Sequence, residues 1–384
     1  MAIHDTAALA KASKAPRDEL FEKLDRISWD FADKRRARPI EKLHPYPAKF
    51  IPDIPAALLE NLPLPADSLI FDPFCGSGTT LAEAQIRGFD AIGVDLNPIA
   101  CLISRVRTTQ VPINAVDAAA EVVERASTMG YAPIPDIPNL DHWFAPPAQD
   151  AVARLVAAIG RAPTAARDFL ELALSSVLVR VSNQDSDTRY AAVEKNITES
   201  LVYSAFRSAA VRIAAALAES PSNGSVRVIE HDTLTLAPEL FPRKVSAVIT
   251  SPPYPNAYEY WLYHKYRMWW LGHDPIAIKE REIGARAHFF GGKRHDATSF
   301  VFQMKHLFNL LDKILGEDAF ACFVVGRSKI HGKIVDNAAI IRAAGQAIGM
   351  RERFSVERVI SANRKSFNLS HANIKTETVL VLSR

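Results

Sequence analysis

The chain predicts an α/β fold, a doubly wound, Rossmann-like sheet carrying an inserted helical subdomain. Three observations lead there. Two apolar runs, Ser68–Asp72 and Ala91–Asp95, each end in a carboxylate and flank a glycine turn and a helix-spaced stretch. Four more strand-like runs recur after residue 223, interleaved with helical spacing. Between the two groups, residues 111–222 show helical periodicity with no convincing strand.

The elements follow in order. Residues 1–38 form a polar N-terminal arm with a short helical pattern at Asp18–Ile27 and a basic cluster of Lys34, Arg35, Arg36 and Arg38, a solvated arm or a phosphate contact. Pro45, Pro47, Pro52 and Pro55 bracket His44–Phe50. Proline fixes φ and restrains its predecessor, so this segment is extended. A helix is expected at Ala56–Leu62. After the first strand, Gly76-Ser77-Gly78 turns the chain, Thr79–Arg87 is helical, and Gly88 closes that helix. The helical insert carries patterns at Ala115–Ala126, Ala148–Ile159, Asp168–Val181 and Ser200–Ala218. It also carries two polar-aromatic loops, Asp141–Phe144 and Ser182–Tyr190, the second too polar for core and open to a substrate-facing role. Strands are expected at Val226–Glu230, Val245–Thr250, Ala319–Val325 and Thr378–Leu382, with a helix at Asn337–Ile348. The main domain therefore comprises residues 39–110 and 223–384 around the 111–222 insert.

Composition narrows the class. A chain of 384 residues with 48% hydrophobic and 23% charged content is long enough to bury a full core. A net charge of +3 leaves no global positive field, so any nucleic-acid contact must come from a local patch. Cys75, Cys101 and Cys322 form no CxxC pair, which argues against a zinc cluster or disulfide framework and for a reducing, cytoplasmic setting. No metal is expected. No run of about 18 apolar residues suggests a membrane span, and the first twenty residues carry no signal-peptide core.

Asp72–Thr80 lacks the lysine and glycine spacing of a phosphate-binding loop and the three glycines of a dinucleotide fingerprint. Asp95, ending the second strand, can accept both hydroxyls of a ribose. Asp232 is placed for an adenine amino group and Asp72 for a cationic amine. Ribose, adenine and ammonium without phosphates describe S-adenosylmethionine. The plainer alternative is that these carboxylates cap helices. Downstream, the apolar run Val245–Ile249 exits through Thr250-Ser251-Pro252-Pro253-Tyr254. That is either an ordinary strand-exit turn or a rigid turn with a flat stacking surface able to hold a planar ring.

Asp72–Thr80 followed by Gly93–Ala100, together with Ser251-Pro252-Pro253-Tyr254, resembles the amino-methylating DNA methyltransferases, the N4-cytosine/N6-adenine family. The resemblance implies an AdoMet-dependent methyltransferase fold. It implies cofactor contacts from Asp72, Phe74, Gly76, Gly78 and Thr79, from Asp95, Leu96 and Asn97, from Asp232, and from Lys49 and Phe50 in a segment closing over the methionine end. It implies catalysis at Ser251, Pro252, Pro253 and Tyr254. There the Ser251 hydroxyl and the Pro252 carbonyl accept from the target amine, draw its nitrogen toward sp³ geometry, and leave Tyr254 to stack on a flipped base. In that family Ser at the first position goes more often with cytosine N4, and Asp or Asn with adenine N6. C5 methylation needs a Pro-Cys nucleophile, and no cysteine here follows a proline.

DNA is the expected partner, in the cytoplasm at the nucleoid. Tyr258, Arg281, Arg286, Lys293 and Arg294, within the aromatic and basic stretch Pro255–Asp296, are candidate contacts. Tyr260, Tyr263 and Trp270 fall at helical spacing and are expected to be packed. Arg364 and Lys365 are weaker candidates. The insert is open to target recognition, homodimerisation or another partner. Cytosine N4 leads, followed by adenine N6, an RNA base amine, and a silent nucleic-acid-binding protein.

Overall fold

The structure is a computed structural model that describes residues 19–32, 36–187, 189–221, 223–255, 258–289, 295–360 and 376–384. After α1 (Glu19–Asp25) and α2 (Asp53–Asn61) come β1 (Leu69–Asp72), α3 (Thr79–Ile86), β2 (Asp90–Asp95) and α4 (Pro98–Arg107). A helical layer follows, comprising α5 (Ala115–Thr128), the one-turn α6 (Leu140–Trp143), α7 (Pro146–Ile159), α8 (Thr164–Val177) and α9 (Glu199–Ala218). It carries a small hairpin of β3 (Gln184–Ser186) and β4 (Arg189–Ala192). The sheet resumes with β5 (Val226–Glu230) and β6 (Val245–Thr250). Then come α10 (Tyr260–Trp270), α11 (Pro275–Arg281), α12 (Ala297–Ile314) and β7 (Leu315–Gly326). A second hairpin of β8 (Ser328–Ile330) and β9 (Lys333–Val335) leads to α13 (Asn337–Ala347), β10 (Arg351–Val359) and β11 (Thr376–Ser383).

The central sheet has seven strands in the order β10-β11-β7-β6-β1-β2-β5. Neighbours pair in parallel except β11, which runs antiparallel to both β7 and β10. From β1 the chain moves outward through β2 to the edge strand β5, then crosses to β6 on the other side. The β1–β6 boundary is therefore a topological switch point, where a crevice opens at the carboxyl ends of the strands. One face of the sheet packs on α12 and α13, the other on α1, α2 and α3.

The helical layer does not keep a core of its own. One apolar cluster runs from Ile99, Leu102 and Val106 of α4 through Phe169, Leu172 and Phe206 to Met268 and Trp270 of α10. α9 is long and apolar enough to cross a bilayer, yet Val202, Phe206, Ala210 and Ile213 are buried in this cluster. The Ser182–Tyr190 loop also differs from its expected role. It forms the β3–β4 hairpin, and its Asp187 pairs with the buried Arg267 of α10, so its polarity neutralises a charge inside the molecule. Strand β10 has no period-2 apolar signal because it alternates Arg351, Glu352, Arg353, Glu357 and Arg358 at the sheet edge, and this hid it from the sequence.

Candidate active site

Two turns build the site at the carboxyl edge. Past Asp72 the chain reverses through Gly76, whose φ of +50° glycine adopts without steric cost. Its N–H donates to Asp95 Oδ2 at 2.8 Å, and the N–H of Asn97 donates to Asp95 Oδ1 at 2.8 Å. Asp95 is thus aimed by the backbone. Asp72 Oδ1 accepts from Thr250 Oγ1 at 2.6 Å and from the Phe74 N–H at 3.1 Å. The first of these bonds ties the end of β1 to the end of β6, one residue before Ser251. Burial raises both carboxyls to about 6, and their hydrogen-bond donors offset only part of that shift.

Both carboxylates and Ser251-Pro252-Pro253-Tyr254 line one cavity of about 690 Å³. The His44–Phe50 segment, expected to be extended, instead turns at Pro47–Ala48, where Ala48 takes a φ of +44°, and its Tyr46–Phe50 part lines the cavity. His44 is buried with Nε2 2.9 Å from Ser175 Oγ in α8, so this segment is anchored in the helical layer. Tyr46 stacks on Tyr260 with ring centroids 5.7 Å apart. The opposite wall depends on Glu282, which accepts from the N–H groups of Tyr260 at 2.9 Å and Trp261 at 2.7 Å and so caps α10 from a distance. Burial pushes Glu282 up to about 8. Gly284, at φ +74°, lies so close to the turn that a Cβ there would sit 2.7 Å from the Tyr254 carbonyl oxygen.

Of the expected cofactor residues, Lys49, Phe50, Asp72, Phe74, Gly76, Thr79, Asp95, Leu96, Asn97 and Asp232 all line this cavity. Gly78 does not. Its left-handed φ of +74° starts α3, and a Cβ there would meet Ser104 Oγ at 2.8 Å, so it serves α3–α4 packing. Lys49 Nζ donates to the carbonyls of Glu41 at 3.0 Å and His44 at 2.9 Å, which commits the ammonium to its own segment, and burial lowers it to about 8. Asp232 caps the turn after β5 through the Leu234 N–H and lies 3.5 Å from Arg281 Nη2. Tyr258, Arg281 and Arg286 line the same cavity, so Arg281 faces the cofactor side as well as solvent. Lys293 and Arg294 lie outside the described residues, as do Lys34, Arg35, Arg364 and Lys365. Arg38 is not a free phosphate contact, because it pairs with Glu41 at 2.8 Å and with the buried Glu83. Trp270 is core, whereas Tyr260 and Tyr263 line the cavity.

The sequence missed Tyr46, Glu282, Arg358 and Glu377 as cavity residues. Only Tyr46 had a signal, its place within a proline-bracketed segment. The other three reach the cavity through tertiary contacts without local periodicity. Among the described residues no group of three or more His, Cys, Asp or Glu side chains comes together to hold a metal. The cavity does fit S-adenosylmethionine. Asp72 is buried and Asp95 half-buried, and neither has a cationic partner among the described residues, which suits a ligand that brings its own positive charge and ribose hydroxyls.

Sequence comparisons with known proteins concern part of the chain. Residues 5–105 match the DNA methylase family model of N6/N4 type. The chain is 38% identical over 97 residues to the type II methyltransferase M.MjaII of Methanocaldococcus jannaschii, covering 24% of this chain and 18% of that protein. It is 30% identical over 115 residues to the type II methyltransferase M.MvaI of Kocuria varians, covering 27% and 25%. The match thus spans a quarter or less of the length of these curated relatives, and it supports an amino-methylating DNA methyltransferase family. Among solved structures, the rRNA methyltransferase AviRa of Streptomyces viridochromogenes aligns at a TM-score of 0.34 and 13% identity over 90% of each chain. A TehB-like SAM-dependent methyltransferase of Corynebacterium glutamicum aligns at 0.32 and 10% over 86% of each. At such scores the likeness adds nothing to the sheet topology described above.

Proposed function

We propose that this protein transfers a methyl group from S-adenosylmethionine to the exocyclic amine of a base flipped out of DNA, with cytosine N4 as the target. The observation that carries the reading is the single cavity in which Asp72 and Asp95 face Ser251–Tyr254 across the β1–β6 switch point. Bound there, S-adenosylmethionine supplies an electrophilic methyl group. Asp95 accepts from the ribose hydroxyls, Asp72 faces the methionine ammonium, and Asp232 accepts from the adenine amine. Ser251 Oγ and the Pro252 carbonyl accept the two N–H bonds of the target amine and aim its lone pair at the methyl. Pro252 and Pro253 stiffen that carbonyl's direction, and Tyr254 stacks on the ring. Positioning and electrostatics then account for the rate, without a covalent enzyme intermediate.

Adenine N6 is the second reading, because the matching family model covers both amines. Incubation with labelled S-adenosylmethionine and DNA or RNA, then digestion and mass spectrometry of the nucleosides, tests the proposal. N4-methylcytosine in DNA is expected. N6-methyladenine would move the target base, label only in RNA would move the substrate, and no label in any nucleic acid would refute methyl transfer.

A further inference from the structure

The cavity has a charged wall that this reading leaves without a role. Arg358, near the end of β10, and Glu377, at the start of β11, face each other as cross-strand partners, with Nη1 2.7 Å from Oε2. Arg358 Nε donates to the carbonyl of Trp29 at 2.8 Å. The Arg358 side chain is 3% exposed, yet both residues line the cavity that holds Ser251–Tyr254.

Register places the pair on the same edge of the sheet. Glu377 lies opposite Gly326 at the end of β7, and β7 lies beside β6. Strands are spaced about 4.8 Å apart, so β10 stands about 14 Å from β6. Arg358, Glu377 and the Ser251–Tyr254 turn all line the cavity that spans this gap. Burial, and after it the Glu377 carboxylate, holds the Tyr254 phenol well above its ordinary value.

Stability alone does not account for the pair. A buried ion pair costs desolvation that an apolar pair of similar volume would avoid. What it offers is fixed donors. Arginine carries five N–H groups, and the contacts above use Nε and Nη1. Among the described residues no acceptor for Nη2 is seen, and it is this end of the guanidinium that borders the cavity.

We propose that Arg358, steadied by Glu377 and the Trp29 carbonyl, reads the flipped base by donating its Nη edge to two adjacent ring acceptors, N3 and O2 of cytosine. Adenine flanks its amine with N1 and N7, each followed by a C–H, and on either side would leave the second donor unmatched. A site built to satisfy a hydrogen bond rejects the partner that lacks it. This inference rests on the cavity being a site of base-amine methylation.

The test compares the full-length protein with Arg358→Lys and Glu377→Gln. It measures methyl transfer to DNA, the identity of the methylated nucleoside, and S-adenosylmethionine binding by calorimetry. The wild type is expected to give N4-methylcytosine. Both variants should keep their cofactor affinity within about threefold and lose about 10–100-fold in kcat/KM for DNA, the scale of one bidentate base contact. Transfer by both variants at the wild-type rate overturns the inference and leaves the methyltransferase reading intact. So does N6-methyladenine as the sole wild-type product, or a Glu377→Gln variant that loses cofactor binding together with transfer. If Arg358→Lys fails to fold, the isosteric Glu377→Gln decides. A wild type that labels no nucleic acid overturns the methyl-transfer reading itself, and this inference with it.

Discussion

The two sides of the cavity are built by opposite means. On the cofactor side, Asp95 is held by two backbone N–H groups, and Asp72 by one N–H and one hydroxyl. On the target side, the walls are rings and a paired charge. Tyr46 is stacked on Tyr260, Tyr254 is backed by Gly284, and Arg358 is bound to Glu377. The cofactor side is thus a rigid set of acceptors waiting for a cation. The target side is a slot whose shape depends on distant segments meeting, and function should divide along the same line.

The division breaks most sharply at Ser251. Ser251→Ala should lower kcat about 10²–10³-fold, the cost of one preorganised hydrogen-bonding group in a site of this kind, with cofactor affinity unchanged. A parallel fall in affinity would show that the two sides are not separable. Asp95→Asn should do the reverse. S-adenosylmethionine affinity should drop about 10–100-fold, as expected for a hydrogen bond to a charged group, while DNA binding without cofactor stays as it was. Calorimetry and DNA-binding titrations separate the two effects.

Acidity probes the same line without mutation. Asp72 and Asp95 titrate at about 6 in the folded protein, against an ordinary 3.8. Lowering the pH through 6 neutralises the acceptors, so cofactor affinity should fall, by at most about tenfold per pH unit for each group. Folding responds with the opposite sign. Because the folded value lies above the unfolded one, these groups contribute stability that is complete below 3.8 and is lost as pH rises through 6. Thermal melts of the free protein and cofactor titrations between pH 4 and 7 should therefore trend in opposite directions in these contributions. A cofactor affinity flat across that range would show that neither carboxylate contacts the ligand. The smallest expected effect is at Gly284. Gly284→Ala must adopt φ of +74° and press on the Tyr254 carbonyl, which should cost about 1–3 kcal/mol of stability and a few-fold in kcat, with cofactor affinity unchanged.

The same contrast explains how much the sequence revealed. Asp72, Gly76, Asp95 and Asn97 sit within one strand–turn–helix–strand unit, and their spacing alone brings them together. Ser251–Tyr254 was legible because two prolines and a ring after an apolar run admit few conformations. Glu282 was not legible, since its partners are the amides of Tyr260 and Trp261, and an amide has no sequence identity. Arg358, on the edge strand β10, and Glu377, on its neighbour β11, had no local pattern that joined them. Gly78 was misplaced because a glycine needed for ligand approach and one needed for helix packing look alike until Ser104 is seen beside it. The helices between residues 111 and 222 were legible by their periodicity, but their sharing of one core with α4 and α10, in place of a core of their own, was not, because shared burial leaves no periodic mark.

The bond from Arg358 Nε to the Trp29 carbonyl spans 329 residues, and the Val359 N–H reaches Asp30 Oδ1 across the same distance at 2.6 Å. The contacts that aim Asp95 span at most 19. Contacts of such different sequence separation form on different timescales, the local ones first. The molecule therefore carries an order of assembly. A chain part-way through folding can already hold Asp95 on its backbone N–H groups, while the Arg358 wall is absent until the segment around Trp29 and strand β10 find each other. The contacts around Arg358 are then the last that the fold acquires, and local unfolding around Trp29 would remove them first.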